Sequence, residues 1–430
     1  MTSEPASAHE VFVWTWLPGA TEPVVAGRVV QEQDRYVFNY GRSYLAREDR
    51  IALYLPELPL VTGAIEPRPG LAMAGCLRDG APDAWGRRVI LNHRYGRAAN
   101  DMDPAALGEL AYLLESGSDR IGCLDFQASA TRYQARASQG APLEELQQAA
   151  ARVDLGLPLT PALEQALYHG TSLGGARPKA MIETPAHKWI AKFSSSSDTF
   201  NVVKSEFVAM RLAALAGLDV AVVQLTAAAG RDVLLIQRFD RQHTADGYQR
   251  RAMVSALTIL ELDELMARYA SYETLAEIVR HRFDAPVPTL HELFGRLVFN
   301  VLCGNTDDHA RNHAAFWNGS SLALTPAYDI CPQARAGNEA SQAMLIVGQQ
   351  RSSRLATCLQ AAPHFLLDDA AATALIARQI TSIQQHFDAV CQEAGLAEVD
   401  RNLLRARNLL NPAIFEGAPD ALQRLVAGFR

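Results

Sequence analysis

From residue 11 to about 62, short runs rich in β-branched and aromatic residues, VFVWTWLP, PVVAGRVV, YVFNYG and RIALYLPELPL, are separated by Gly, Pro and Asp. Runs of this length with that punctuation predict strands, and together a small antiparallel β unit. The period then lengthens. APDAWGRRVIL (81–91) predicts a helix with Pro82 and Asp83 in its first turn, and LGELAYLLES and PLEELQQAAARVDL continue the helical pattern. The polar stretch TRYQARASQGAPL (131–143), with Gly and Pro, is the best boundary in the first third of the chain.

A second texture starts at 170 with GTSLGGARPKAMIE and the short strand HKWIAKF (187–193). Alternation puts Lys188, Ile190 and Lys192 on one side of that strand and Trp189, Ala191 and Phe193 on the other. A helix follows, NVVKSEFVAMRLAALAGL, stopping at Gly217, and then two strands, DVAVVQL and DVLLIQRF, the second running into QRFDR at 237–241. From about 252 onward the pattern is helical: AMVSALTILELD, TLAEIVRHRF, TLHELFGRLVFNVLC and several amphipathic segments from 366 to 430.

Composition narrows the setting. A chain of 430 residues exceeds what one hydrophobic core organises, so two or three packed units are expected. Hydrophobic content of 49% with 20% charged residues is that of an ordinary globular protein. The net charge of −7 supplies no general basic surface for nucleic acid. The six cysteines contain no CxxC pair and fit a reducing compartment. Neither a signal peptide nor a membrane span is legible, so a cytoplasmic protein without membrane contact is expected.

Chemistry concentrates in GNTDDHARN (304–312), directly behind an apolar helix. Asp307 and Asn312 form DxxxxN, the spacing of a kinase catalytic loop, and Asp329 follows seventeen residues later in LTPAYDI. One carboxylate can take a hydroxyl proton, while the Asn312 amide oxygen and the Asp329 carboxylate are hard ligands suited to magnesium. Upstream, Gly174 and Gly175 allow backbone N–H groups to approach phosphate oxygens, and Lys192 stands on a strand seventeen residues after Gly175, with Glu206 on the next helix as its natural partner; the alternatives are a Lys192 that reaches solvent from an edge strand and a Glu206 that is a solvated helix position. Two other readings compete. His309 and His313, four apart, could join Asp307 or Asp308 in a zinc site, which leaves Asn312 and Asp329 without a role. The acids and Asn312 could also merely cap the following segment, which leaves the order of glycine loop, lysine, helix and acidic loop unexplained.

Taken together, TSLGGARPK, HKWIAKF, QRFDR, GNTDDHARN and LTPAYDI resemble the HipA family of bacterial serine/threonine kinases, the toxins of toxin–antitoxin pairs; the N-terminal β unit with DAWGRR resembles that family's N-terminal domain. The resemblance implies an α+β, bilobed protein-kinase-like fold: an N-terminal β-containing domain over 1–135, a mixed α/β N-lobe with phosphate loop and hinge over 136–241, and an all-helical C-lobe over 242–430. It implies ATP and Mg2+ as cofactors and Asp307 as the catalytic base, with Asn312 and Asp329 holding the metal. Gly174, Gly175, Ala176, Arg177, Pro178 and Lys179 would form the phosphate loop, with Lys192 as the phosphate-binding lysine. Gln237, Arg238 and Phe239 would border the adenine. His309 and Tyr328 are secondary nucleotide candidates, Tyr328 reading first as a core residue. Ser172 takes the position of an autophosphorylated serine, with Thr171 beside it as a second acceptor; a phosphate there would repel the phosphates that the loop is built to bind.

The same resemblance implies a protein substrate, possibly an aminoacyl-tRNA synthetase, and a small helix-turn-helix antitoxin through which DNA would be reached only indirectly. A kinase-like ATP-binding regulator or corepressor, and a stand-alone kinase lacking an antitoxin, are the alternatives. Asp308 has no assigned role.

Overall fold

The computed structural model describes residues 9–96, 102–136, 141–155, 171–195 and 200–426 apart from 335, 336 and 338, with the single positions 157, 159, 160, 163, 167, 198 and 429. Two compact units result. The first comprises Met1–Ser197, Thr226–Val254 and Phe316–Ser320, and the second Asp198–Leu225, Ser255–Ala315 and Ser321–Arg430. The units follow contacts, not chain order: the helix after HKWIAKF belongs to the second unit, whereas the strand that ends in QRFDR returns to the first.

In the first unit, β1 (Glu10–Thr15), β2 (Val24–Glu32), β3 (Arg35–Tyr40) and β4 (Leu124–Gln127) form one antiparallel sheet in the order β3-β2-β1-β4. Strands β1 and β2 pair Val11 with Val29 and Val13 with Gly27. Gly27 is required where the sheet is tight, since a Cβ there would stand 2.2 Å from the Asn39 carbonyl oxygen. RIALYLPELPL, expected as a further strand, is a run of bends and turns. Pro56 and Pro59 remove two ladder donors. The segment is held by Tyr40 instead, whose hydroxyl donates to the Leu58 carbonyl at 2.8 Å and accepts from the Leu53 N–H at 2.9 Å.

The second sheet of this unit has the order β5-β6-β8-β7, from β5 (Lys179–Glu183), β6 (Lys188–Phe193), β7 (Val223–Ala228) and β8 (Arg231–Gln237). Its apolar face, including Ala180, Ala191, Phe193 and Val233, joins one core with Trp85 and Val89 of helix α1 (Ala84–Tyr95) and with Leu146, Ala149, Ala150 and Val153 of a later helix, Leu143–Asp154. Between these two lies α2 (Glu109–Glu115), and Leu143–Asp154 is α3. Helix α1 begins at Ala84, so Pro82 and Asp83, expected in its first turn, precede it. Asp83 is the N-cap in extended backbone, φ −81° and ψ −174°, and its carboxylate is used elsewhere.

The second unit is built on α4 (Val202–Leu215), α5 (Tyr272–Arg282), α6 (Pro286–Cys303) and α7 (Asp369–Glu393). Leu290, Leu293, Phe294, Leu297, Val298, Phe299, Val301 and Leu302 are fully buried, so α6 is apolar on nearly every side and forms the axis of the unit. Each such side chain contributes about 1.5–3 kcal/mol. Helices α4 and α7 are joined by Arg211 on Glu393 at 3.0 Å and by Lys204 Nζ on the Gly395 carbonyl at 2.9 Å. AMVSALTILELD, expected as one helix, is a short strand (Met253–Ser255) and a single helical turn (Ala256–Ile259). Ser255 Oγ caps that turn by accepting the Thr258 N–H, and Glu261 leaves it in left-handed backbone at φ 56°. Residues after 241 are therefore predominantly helical, with short strands such as Ala314–Trp317 and Leu322–Leu324 among them.

Candidate active site

The glycine segment 171–178 enters β5 in the first unit. Gly175 has φ 95°, and a Cβ on it would lie 2.5 Å from Lys179 Nζ, so only glycine suits this turn. Gly174 and Ala176 are exposed, Gly175 and Arg177 half-buried, and Pro178 and Lys179 buried. The Phe193 N–H donates to the Pro178 carbonyl at 3.0 Å, which ties the end of the loop to the end of β6. Lys179 and Lys192 are then directly opposite each other in the antiparallel β5/β6 register. Both are buried, 4% and 8% exposed, and Lys179 donates to the Gly174 carbonyl. Two ammonium groups at the end of a glycine loop are of a chemistry suited to phosphates.

The segment QRFDR is distributed over several environments. Gln237 contacts His187 at 3.1 Å and pairs with Trp189 across the sheet. The Arg238 N–H donates to the Lys188 carbonyl, and its guanidinium is wholly buried in an ion network: Asp240 at 2.9 and 2.7 Å, Asp119 at 3.2 Å and the Arg120 carbonyl at 2.7 Å. Arg241 joins the network through Asp119 and Asp240 at 2.9 Å each. Burial alone would raise the Asp119 carboxyl, but Arg241, Arg238 and Lys188 outweigh it and hold it well below the usual carboxylate range. The Arg238 side chain thus organises the first unit. Phe239 is half-buried and meets Phe316 edge-on, with ring centroids 5.9 Å apart.

In the second unit α6 ends at Gly304, left-handed at φ 74°, which turns the chain sharply into the polar segment. Asn305 folds back on the helix, its amide donating to Asn300 Oδ1 at 3.0 Å. The loop then closes on itself: the His309 N–H donates to the Asp307 carbonyl at 2.9 Å, the Asn312 N–H to the His309 carbonyl at 2.8 Å, and Asn312 Nδ2 to the Asp307 carbonyl at 3.0 Å. The amide nitrogen of Asn312 is thus engaged, and its oxygen is the atom of a type that suits a hard cation.

Asp329 follows two tethers. Ala327 bridges to Val220, and the Tyr328 hydroxyl donates to the Arg311 carbonyl at 2.7 Å, bringing this strand end to the loop. Asp329 itself sits at φ 58°, a left-handed conformation that non-glycine residues rarely hold and that clusters at functional sites. Arg296, buried in α6, donates to the Thr325 carbonyl at 2.9 Å and fixes the approach to Asp329. Asp307 is exposed at its surface, yet its carboxyl pKa is raised. Desolvation is the main cause; the charge of His309 opposes it, and Asp329 and Asp308 add to it. Asp307 and Asp329 are therefore close enough to influence each other's charge.

Asp308 faces the other way. It is 1% exposed and accepts from the Tyr272 hydroxyl through one oxygen, and meets His313 Nε2 at 2.8 Å through the other; Tyr272 and His313 are themselves 3.0 Å apart. His313 is therefore committed beneath the loop, and among the described residues no group of three or more His, Cys, Asp or Glu side chains could hold a metal ion. Tyr272 and Arg296 carry no motif, and nothing in the sequence marks their roles; Asp83 opens DAWGRR, but its use outside its own helix is not legible there. Ser172 is 1% exposed and its hydroxyl has no hydrogen-bond partner, while Thr171 Oγ1 accepts the Gly117 N–H at 3.1 Å.

The family model for the HipA-like C-terminal domain matches residues 171–393. The chain is 30% identical over 146 residues to the Y4mE protein of Sinorhizobium fredii, 33% of each chain. It is 26% identical over 146 residues to the serine/threonine-protein kinase toxin HipA of Shewanella oneidensis, covering 30% of this chain and 34% of that one. The chain thus matches about a third of the length of these curated relatives. In fold it is similar, with a TM-score of 0.64 over 96% of this chain and 99% of the other at 17% identity, to a chain solved in the complex of HipA, HipB and operator DNA of Shewanella oneidensis. Among the described residues no helix is long and apolar enough to cross a membrane.

Proposed function

The chain belongs to the HipA family, and from that premise we propose that it is an ATP- and magnesium-dependent protein serine/threonine kinase. The observation that supports this most is that the second unit ties Asn312 to the Asp307 carbonyl and, through Tyr328 on the Arg311 carbonyl, brings Asp329 close enough to influence Asp307. In this reading Asp307 accepts the proton of the attacking hydroxyl, and its raised pKa makes it a better acceptor than an ordinary aspartate. Asn312 and Asp329 hold magnesium, which when bound neutralises phosphate charge. Gly174 to Lys179 and Lys192 receive the phosphates, and Gln237 and Phe239, with the backbone of Arg238, border the adenine. His309 and Tyr328 line the nucleotide side of the loop. Catalysis is mostly positioning and charge neutralisation, as for phosphoryl transfer generally.

By chain order, residues 1–135 act as the N-terminal domain, 136–241 as the nucleotide-binding lobe and 242–430 as the catalytic lobe. A protein substrate in the cytoplasm, an aminoacyl-tRNA synthetase foremost, and a small DNA-binding antitoxin complete the reading. The antitoxin part of this reading is supported by the assembly of the similar Shewanella chain with HipB and operator DNA. Ser172 is the proposed autophosphorylation site. Because its hydroxyl is buried, the loop must leave its present position for that residue to react.

The test is transfer from radiolabelled ATP. Asp307→Ala should abolish phosphorylation of itself and of substrate while leaving nucleotide binding within a few-fold; wild-type transfer by that variant would refute the role. Asp329→Ala should lose magnesium-dependent ATP affinity in a calorimetric titration, and unchanged affinity would remove Asp329 from the metal site. Intact-mass and peptide spectra after incubation with ATP should place a phosphate on Ser172.

A further inference from the structure

Helix α1 stands against the glycine loop at an unusual number of points, all within the first unit. The Gly175 N–H donates to Asp83 Oδ2 at 2.6 Å, and the Trp85 N–H reaches the Gly175 carbonyl at 3.4 Å. Arg88 Nη2 donates to the Ala176 carbonyl at 2.8 Å and Trp85 Nε1 to the Lys179 carbonyl at 3.0 Å. Gly86 lets the helix touch the backbone ahead of the loop: a Cβ on it would fall 1.9 Å from the Thr171 carbonyl oxygen. Asp83 has the position and residue type of an N-cap, yet its side chain caps nothing in its own helix. Instead it meets, with a full charge, a backbone N–H of the kind that a phosphate oxygen would seek.

We propose that residues 83–88 are a clamp that holds the glycine loop in place, with Asp83 as its catch, and that release of the clamp controls access to Ser172. The clamp follows from these contacts alone; its consequence for Ser172 rests on the kinase reading. Asp83 is a positioning residue, since it acts through the loop. In that consequence Ser172 Oγ bonds to the γ-phosphorus as the bond from that phosphorus to the β,γ-bridging oxygen breaks. ADP leaves, and the hydroxyl proton passes to Asp307. Ser172 lies three residues before the clamped Gly175 and is buried while the clamp is closed.

Hydrogen exchange on the full chain tests the clamp without any need for activity. Asp83→Ala should speed amide exchange across 171–179 at least tenfold, with β1 to β4 unchanged. Asp83→Asn, whose amide oxygen still accepts from Gly175, should restore most of the protection, which a general packing role for Asp83 would not predict. Gly86→Ala, which wedges helix and loop apart, should reproduce the Asp83→Ala result and serves in its place if that variant fails to fold. Unchanged exchange across 171–179, or exchange rising equally in every segment, overturns the clamp. With ATP and magnesium, Asp83→Ala should also gain phosphate on Ser172 several-fold faster than wild type. Faster exchange with no phosphate on Ser172 in any variant would uphold the clamp and overturn its link to the kinase reading.

Discussion

Asp308 supports the loop 304–312 from its buried side, while Asp307 beside it is exposed. Both Asp308 oxygens are committed, one to Tyr272 and one to His313, at a site without solvent. Asp308→Ala leaves two buried polar groups without their acceptor, a loss on the order of 3–5 kcal/mol for a buried charged partner. The expected outcome is a clear fall in the urea midpoint together with a drop in turnover from a loop that no longer holds Asp307 in place; unaltered stability would show that Tyr272 and His313 repartner. Asp307 makes a different prediction. Its pKa is raised by desolvation first and by Asp329 and Asp308 after it, against His309, so its base form appears only above the ordinary aspartate value of about 3.9. The acid limb of a pH–rate profile should therefore lie above that value. From GNTDDHARN alone Asp307 and Asn312 are legible, because their spacing is itself a signal. Asp308 is not, because its partners arrive from thirty-six residues upstream and from a histidine that the sequence equally offers to a metal.

At the scale of elements, the parts with strong periodicity are the ones the sequence shows. The alternation in HKWIAKF and the apolar breadth of 289–303 both reappear as drawn, in β6 and α6. RIALYLPELPL and AMVSALTILELD do not, because apolar content is shared by strands, helices and buried turns, and local hydrogen bonds by Tyr40 and Ser255 decide among them. The boundary between α6 and the loop 304–312 is an element-scale feature with a sharp test. Gly304 is left-handed, and a Cβ on it would also stand 3.1 Å from the Asn408 carbonyl oxygen. Gly304→Ala then costs about 1–2 kcal/mol for the backbone alone, and the crowding adds to it. Thermal unfolding should occur several degrees lower, and the displaced loop should lose catalytic rate more than nucleotide affinity; an unshifted melting temperature would mean that the turn relaxes without strain.

Across the whole molecule, the two units are assembled from interleaved stretches of chain, so composition alone could suggest more than one unit but not which helix or strand joins which. Long-range ion pairs do part of that sorting in the first unit. Asp119, Asp125 and Asp240 together meet Arg120, Arg136, Arg238, Arg241 and Lys188, partners brought from as far as 122 residues apart. In each of the three aspartates burial acts to raise the pKa, and the neighbouring cations outweigh it and lower it. A carboxyl whose folded pKa is depressed binds its proton less readily than in the unfolded chain. It therefore contributes stability that is fully present above the unfolded value, about 3.9, and is lost as pH falls through the folded value. The melting temperature should be nearly flat from pH 7 to pH 5 on account of these groups and fall steeply below about pH 4. Asp119→Asn removes one of the three: it should lose about 3 kcal/mol at neutral pH by leaving Arg238, Arg241 and Lys188 short of an anion, and show a shallower acid limb than wild type. Parallel acid limbs for the two proteins would mean that Asp119 does not carry the depressed titration, and that the first unit owes its acid sensitivity to Asp125 and Asp240.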